Sequence, residues 1–198
     1  MKNRICTILG GGGFIGRYLV RNLTKKNYRI ILTTRKAFQK GYLKTQATPG
    51  AIELLDWNPN NFKDLEEAIY NSDVVINLIG ILYETRKQKF YNIHGKIPEA
   101  VAKICSKSNV KKFIHVSAIG ANENSKSLYQ KSKRQGEINA LKNFDKTIII
   151  RPSVVCGAED NFTNLFSKLS MLPVIPIVGI NYKFQPILVS DVADAIVK

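Results

Sequence analysis

The chain has 198 residues, 44% of them hydrophobic, which is enough for one domain with a real buried core. Thirty Lys and Arg stand against 15 Asp and Glu, a formal charge of +15. No apolar stretch nears the ~20 residues that cross a bilayer, and glycines cut short the apolar segment that follows the first residues, so no membrane helix, signal peptide or transit peptide is expected.

Short apolar runs alternate with helix-like segments along the chain. Arg4 to Leu9 reads as a strand, Phe14 to Lys26 as a helix and Tyr28 to Thr34 as a second strand. Ile52 to Asp56 is a third strand, followed by a helix from Phe62 to Tyr70, where Leu65, Ala68 and Ile69 share a face. Asp73 to Ile79 is a solidly apolar strand, and a long helix covers Phe90 to Ser106. Lys112 to Ser117 and Thr147 to Ile150 supply two more strands, separated by a helix from Leu128 to Leu141. Strands alternating with helices imply right-handed βαβ units and an α/β fold with a parallel sheet covered on both faces. The expected architecture is the doubly wound, Rossmann-type sheet in the order 3-2-1-4-5-6, as a single domain over 1–198.

Cys6, Cys105 and Cys156 are odd in number and lack metal or redox spacing, so they read as reduced, structural residues of a cytosol-like compartment. Three readings compete for the positive charge. Twenty-two of the 30 cations are lysines beside many isoleucines and asparagines, as a compositional bias on solvated helix faces would give. An anionic membrane surface or acidic partner is the second reading. Nucleic acid ranks last, because no helix-turn-helix, zinc-finger or RNP-type signature accompanies the charge.

Residues 8 to 19 read ILGGGGFIGRYL. Two registers fit: Gly11-x-Gly13-x-x-Gly16, the ordinary dinucleotide fingerprint, and Gly10-x-x-Gly13-x-x-Gly16, the wider spacing of short-chain dehydrogenases. Either follows a predicted strand and opens a helix, where missing side chains let a pyrophosphate approach uncapped N–H groups and the positive end of a helix dipole. At the end of the second strand an NAD site usually carries a carboxylate for the ribose 2′-hydroxyl, but this chain has Thr33-Thr34-Arg35-Lys36. A guanidinium on a 2′-phosphate favours NADP(H), with NAD(H) the lesser expectation.

Short-chain dehydrogenases pair Tyr and Lys one helical turn apart, so that the lysine lowers the phenol's pKa and the tyrosine relays a proton. Two such pairs occur, Tyr83/Lys87 and Tyr129/Lys133, where eight tyrosines and 22 lysines would give about one by accident. Tyr129 opens a helix after the fifth strand, and Ser117 lies at that strand's end, able to bond the same substrate oxygen. Ser117, Tyr129 and Lys133 are therefore the expected catalytic triad and Tyr83 a decoy, which selects the Gly10, Gly13, Gly16 register.

VVINLIGILYET (74–85), KFIHVSAIGAN (112–122), SLYQKSKRQGE (127–137), RPSVVCGAEDNF (151–162) and FQPILVSDVADAI (184–196) together resemble the atypical short-chain dehydrogenase family of the Rossmann-type accessory subunit of mitochondrial respiratory complex I and its alphaproteobacterial relatives. The resemblance implies an NADPH-binding protein, peripheral to a membrane-bound respiratory complex at the inner face of the membrane, with the nucleotide structural. Some relatives are linked to ubiquinone biosynthesis. It implies that Gly10, Gly13, Phe14, Ile15, Gly16 and Arg35 hold the diphosphate and adenosine end, and that Asp56 and Trp57 flank the adenine. Asn77, Leu78 and Gly80 would pass beneath the nucleotide, Tyr129 and Lys133 would meet the nicotinamide ribose, and Arg151, Pro152 and Ser153 would close over the nicotinamide amide. Two departures stand out: Cys156 replaces an aromatic, and the chain stops inside the helix begun at Ser190, so the family's C-terminal substrate portion is expected to be missing. Cofactor binding is thus the leading expectation, and an active NADPH-dependent reductase or epimerase-like enzyme using Tyr129 the alternative. An RNA-binding Rossmann protein is a weaker third.

Overall fold

A computed structural model describes residues 4–59, 61–171, 173 and 183–198. Six parallel strands form one sheet in the order β3-β2-β1-β4-β5-β6, the topology expected from the alternating pattern. They are β1 (Ile5–Leu9), β2 (Arg29–Thr34), β3 (Ile52–Asp56), β4 (Val74–Asn77), β5 (Lys112–Val116) and β6 (Thr147–Ile150). The crossovers carry α1 (Phe14–Lys25), α2 (Lys63–Ile69), α3 (Ile97–Lys107) and α4 (Leu128–Asn143). A 3-10 stretch, Ala37–Gln46, links β2 to β3.

Residues on the two sides of β1 feed separate cores. Cys6 and Ile8 pack with Leu19, Val20 and Leu23 of α1 and with Val192, Ala193 and Ile196 of α6 (Val189–Val197). Leu9 turns to the other face, among Trp57, Leu65, Ile93, Val101 and Phe113. Thr7 is buried on that face because its hydroxyl donates to Ala68 O (2.8 Å) and pairs with Ser72 Oγ (2.6 Å), tying the end of α2 to β1.

Two expected boundaries shift for identifiable reasons. The strand foreseen to Ile79 ends at Asn77, whose side-chain oxygen accepts the Ile79 N–H (3.0 Å) and bends the chain. The helix foreseen from Phe90 opens instead as a wide π-turn, Tyr91–Lys96, before α3. Pro98, in the first turn of α3, has no N–H to give His94 O, so a regular α-helical turn cannot run through that point.

Beyond β6 lies a small parallel pair, β7 (Val155–Cys156) with β8 (Ile187–Leu188), and between them α5 (Thr163–Leu169). This segment and α6 dock on α1: Tyr18 donates to Glu159 (2.9 Å), Asn22 to Asp194 of α6 (2.7 Å), and Arg17 pairs with Glu159 (3.6 Å). The cysteines are free, and burial holds the Cys6 and Cys105 thiols well above the usual range, so both are inert packing groups.

Candidate functional site

The sheet order reverses between β1 and β4, and Leu9 stands level with both Thr33 and Asn77, so three strands end side by side there. Ligands of doubly wound sheets bind at such a switch point. A cleft of about 530 Å³ opens at it, lined by the glycine loop, Phe14, Ile15, Thr33, Thr34, Arg35, Lys40, Trp57, Pro59 and the strip from Leu78 to Leu82.

Each glycine of the Gly10, Gly13, Gly16 register has its own physical reason. Gly10 turns the chain out of β1 at φ +76°, which other residues rarely adopt, and its N–H is held by Thr33 O (3.1 Å). A Cβ on Gly16 would sit 2.2 Å from Gly11 O, so the missing side chain is what lets α1 lie against the loop. Gly13 differs: its backbone is extended, it is exposed, and a Cβ there would meet only Gly10 O, at 3.3 Å. Gly13 is the N-cap of α1 and brings no capping side chain, and no acidic residue stands in the first turn. The N–H groups and positive dipole end of α1 therefore face an open space that an anion can enter. No carboxylate is among the described residues lining the cleft, while Arg35 and Lys40 are. The cradle fits a dinucleotide.

At the adenosine end Asp56 closes β3. Its carboxylate accepts the Ala37 N–H (2.8 Å) and anchors the start of the 3-10 stretch, so it does not line the cleft. Trp57 does, buried, with its indole N–H donated to Asn61 O (2.5 Å). Asn77 is wholly buried, donates to His115 Nδ1 (3.2 Å) and accepts from Ile79 N, shaping the turn from below, while Leu78 and Gly80 form the wall.

Ser117, Tyr129 and Lys133 come from the end of β5 and one face of α4, as expected, but lie beyond the described walls of the cleft. Lys133 is buried and donates to Val116 O (3.3 Å), reaching the cleft's edge, where a Cβ on Gly80 would be 3.0 Å from its Nζ. Burial pushes its ammonium down to about 8, against the opposing charge of Glu137. The expected depression of the Tyr129 phenol is not found. The ring stands edge-on to Phe90 and His94, with centroids 5.9 and 5.5 Å away, and burial raises its pKa. Ser117 is 4% exposed, and its hydroxyl leans toward Glu137 without meeting full hydrogen-bond geometry.

Arg151 is committed elsewhere too. Its guanidinium grips Glu137 with both faces of the fork, Nε to Oε1 at 2.7 Å and Nη2 to Oε2 at 2.5 Å, and Arg134 adds a third bond at 3.1 Å. Burial pushes the Glu137 carboxyl up, but Arg151, Ser117 and Arg134 outweigh it and hold it below its ordinary range. Pro152 stands after β6 and accepts Ile119 N–H (2.9 Å), with Ser153 half-buried beside it. Tyr83, the decoy, is 74% exposed.

Three residues escaped the sequence reading. Glu137 lies one helical turn beyond Lys133, a spacing that was legible, but its pairing with Arg151 was not. Lys40 shares the glycine loop's surroundings, its Cγ 3.4 Å from where a Cβ of Gly12 would stand. His94 accepts the Ile81 N–H at Nε2 (3.0 Å), so its proton sits on Nδ1 and goes to Ser132 Oγ (2.8 Å), which in turn donates to Tyr129 O (2.7 Å). Burial and the Lys133 charge push His94 down to about 3, so the imidazole is neutral and joins the β4 loop to α4.

Mouse "NADH dehydrogenase [ubiquinone] 1 alpha subcomplex subunit 9, mitochondrial" is 35% identical over 98% of this chain and 52% of its own length. The "NADH-ubiquinone oxidoreductase 40 kDa subunit, mitochondrial" of Neurospora crassa is 32% identical over 96% and 50%. The chain thus spans about half the length of these curated relatives. Among solved structures, the UDP-glucuronic acid 4-epimerase of Bacillus cereus in complex with UDP-glucuronic acid and NAD superposes with a TM-score of 0.77 at 20% identity, over 98% of this chain and 72% of that one, a likeness of fold. The model of the NAD dependent epimerase/dehydratase family matches residues 6–198, nearly the whole sequence, and the chain belongs to that family.

Proposed function

We propose that the chain binds NADP(H) in the glycine cradle and holds it as a structural element of an accessory or assembly protein related to respiratory complex I, docked by its basic faces to a membrane-bound partner. A nicotinamide dinucleotide is the ligand class of the family. The finer choice of NADP(H) rests on Arg35 and Lys40 in a cleft with no carboxylate among its described lining residues. The partner rests on the likeness to the mouse and Neurospora complex I subunits. Among the described residues no helix is long and apolar enough to cross a membrane, which suits a peripheral position.

The observation that carries a non-reacting nucleotide is the state of the three expected catalytic residues. A reduced nicotinamide, when bound, supplies a hydride, and proton transfer must then come from the chain. Tyr129 would give that proton, yet its ring stands edge-on to Phe90 and His94, and Lys133 donates to Val116 O.

The second reading, an NADPH-dependent reductase or epimerase-like enzyme, is favoured by the placement of these three residues on adjacent elements at the sheet's carboxyl end. Steady-state NADPH oxidation with quinone-like and sugar-like carbonyls separates the two. The proposal expects no rate above the protein-free control in either wild type or Tyr129→Phe; turnover that Tyr129→Phe abolishes establishes the enzyme. Capture from membranes of a bacterium that makes complex I is expected to recover its subunits, and their absence would contradict the partner.

A further inference from the structure

A second hollow, of about 390 Å³, adjoins the dinucleotide cleft and shares Arg35 and Gln88 with it. Its remaining walls are Asn58, Thr85, Arg86 and Lys87. Three cations from two separate elements, Arg35 after β2 and Arg86 and Lys87 in the loop after β4, thus surround one small space. None of them takes part in an ion pair among the described residues. Nearby carboxylates in the sequence are engaged: Glu53 pairs with Arg29 (3.2 Å), Asp56 holds Ala37 N–H, and Glu84 accepts Phe90 N–H (2.8 Å) and pairs with Lys89 (3.4 Å).

The loop that presents Arg86 and Lys87 is a closed turn. Thr85 N–H donates to Gln88 O (2.9 Å), and Gln88 N–H donates to Thr85 Oγ1 (3.1 Å), which leaves residues 86 and 87 at the tip. Like charges gathered without a counter-charge repel one another, and an anion between them removes that cost. The hollow meets the cleft at Arg35, the residue expected at the adenosine ribose, so the anion that fits is a phosphate carried by that ribose.

We infer that Arg86 and Lys87 join Arg35 in a three-cation basin for the 2′-phosphate of NADP(H), so that preference for the phosphorylated dinucleotide is set by the β4 loop as well as by the end of β2. This deepens the cofactor assignment proposed above and rests on it. It also gives Lys87 a role unconnected with Tyr83, its partner in the accidental Tyr-x-x-x-Lys match. Both cations are exposed, so their attraction is screened by salt.

The test is calorimetric titration of 2′,5′-ADP and 5′-AMP into wild type, Arg86→Gln/Lys87→Gln and Arg35→Gln, at low and moderate ionic strength, with thermal melts to confirm folding. The double variant is expected to bind 2′,5′-ADP about tenfold more weakly while its 5′-AMP affinity moves less than about twofold, and to flatten the salt dependence of 2′,5′-ADP binding. Unchanged 2′,5′-ADP affinity in the double variant, with Arg35→Gln weakened, would overturn the basin and leave the cofactor assignment standing. Equal loss for both ligands would likewise overturn it, by showing a general effect on the cleft. Wild type that binds both ligands equally would overturn the cofactor assignment and the basin together.

Discussion

The glycine loop makes a prediction in which fold and binding separate. In Gly16→Ala the new methyl would stand 2.2 Å from Gly11 O and 2.5 Å from Gly11 C and Cα, all backbone atoms that cannot rotate away. Overpacking of this kind costs about 3 kcal/mol, and Ala in a helix interior returns about 1 kcal/mol over Gly, so packing wins by about 2 kcal/mol. For a domain of this size that lowers Tm by about 4–8 °C. Gly13→Ala meets a different physics. Its backbone, φ −83° and ψ −173°, is open to any residue, and its methyl touches only Gly10 O at 3.3 Å. Loss of a good N-cap residue costs at most about 1 kcal/mol, or about 2–4 °C. The same methyl, however, occupies the approach of a pyrophosphate to the α1 N-terminus, and dinucleotide affinity should fall at least about tenfold. Differential scanning calorimetry reads the first quantity. Quenching of Trp57, the only tryptophan in the chain and a wall of the cleft, reads the second. Gly13→Ala with unaltered affinity, or Gly16→Ala with unaltered Tm, would refute the division of roles.

Other outcomes follow from the buried charges. Lys133 carries a folded-state pKa near about 8 against an ordinary value near 10.5, so between the two the unfolded chain binds the extra proton and stability rises with pH. The Cys6 and Cys105 thiols of the unfolded chain, ordinarily near 9.0, ionise over the same range and oppose this in wild type and variant alike, so between pH 8 and 9 wild type should gain stability relative to Lys133→Met; urea titrations at the two pH values check this. Glu137 has the opposite sign, because its depressed pKa gives stability that is present above the ordinary glutamate range and lost as pH falls through the folded-state value. Glu137→Gln should cost about 1–2 kcal/mol at pH 7, discounted for the partly exposed Arg134 and Arg151, and the gap to wild type should close toward pH 3 in thermal melts. Asp56→Ala should destabilise by about 1 kcal/mol through the freed Ala37 N–H, with the ratio of NADPH to NADH affinity unchanged, as paired fluorescence titrations would read.

Strand order and helix sequence were legible because each strand is a short apolar run and the crossovers through α1 to α4 carry period-3.6 segments, the 3-10 link Ala37–Gln46 apart, and the reversal after β1 follows from topology alone. The small β7–β8 pair was not, since two-residue strands carry no periodicity. Nor was the π-turn, which depends on one proline seen against the carbonyl it fails to serve. That the glycines and Arg35 line one cleft could be read because backbone freedom and formal charge are what sequence displays directly. Asp56, Asn77 and Arg151 are placed near the ligand by resemblance, and the local bonds they make could not be read: to Ala37 N–H, to Ile79 N–H and His115, and to Glu137. A polar side chain's type can be read from sequence, but its partner depends on which elements meet, and Glu137 meets Arg151 only once α4 lies beside β6.

The central claim is that the cradle selects the phosphorylated dinucleotide. Titrating NADPH and NADH separately into the wild-type chain, with Trp57 fluorescence as the readout, tests it most directly. NADPH is expected to bind at least about tenfold tighter, with the preference inverted or erased in Arg35→Asp. Equal affinities in wild type, or a preference that survives Arg35→Asp unchanged, would contradict it.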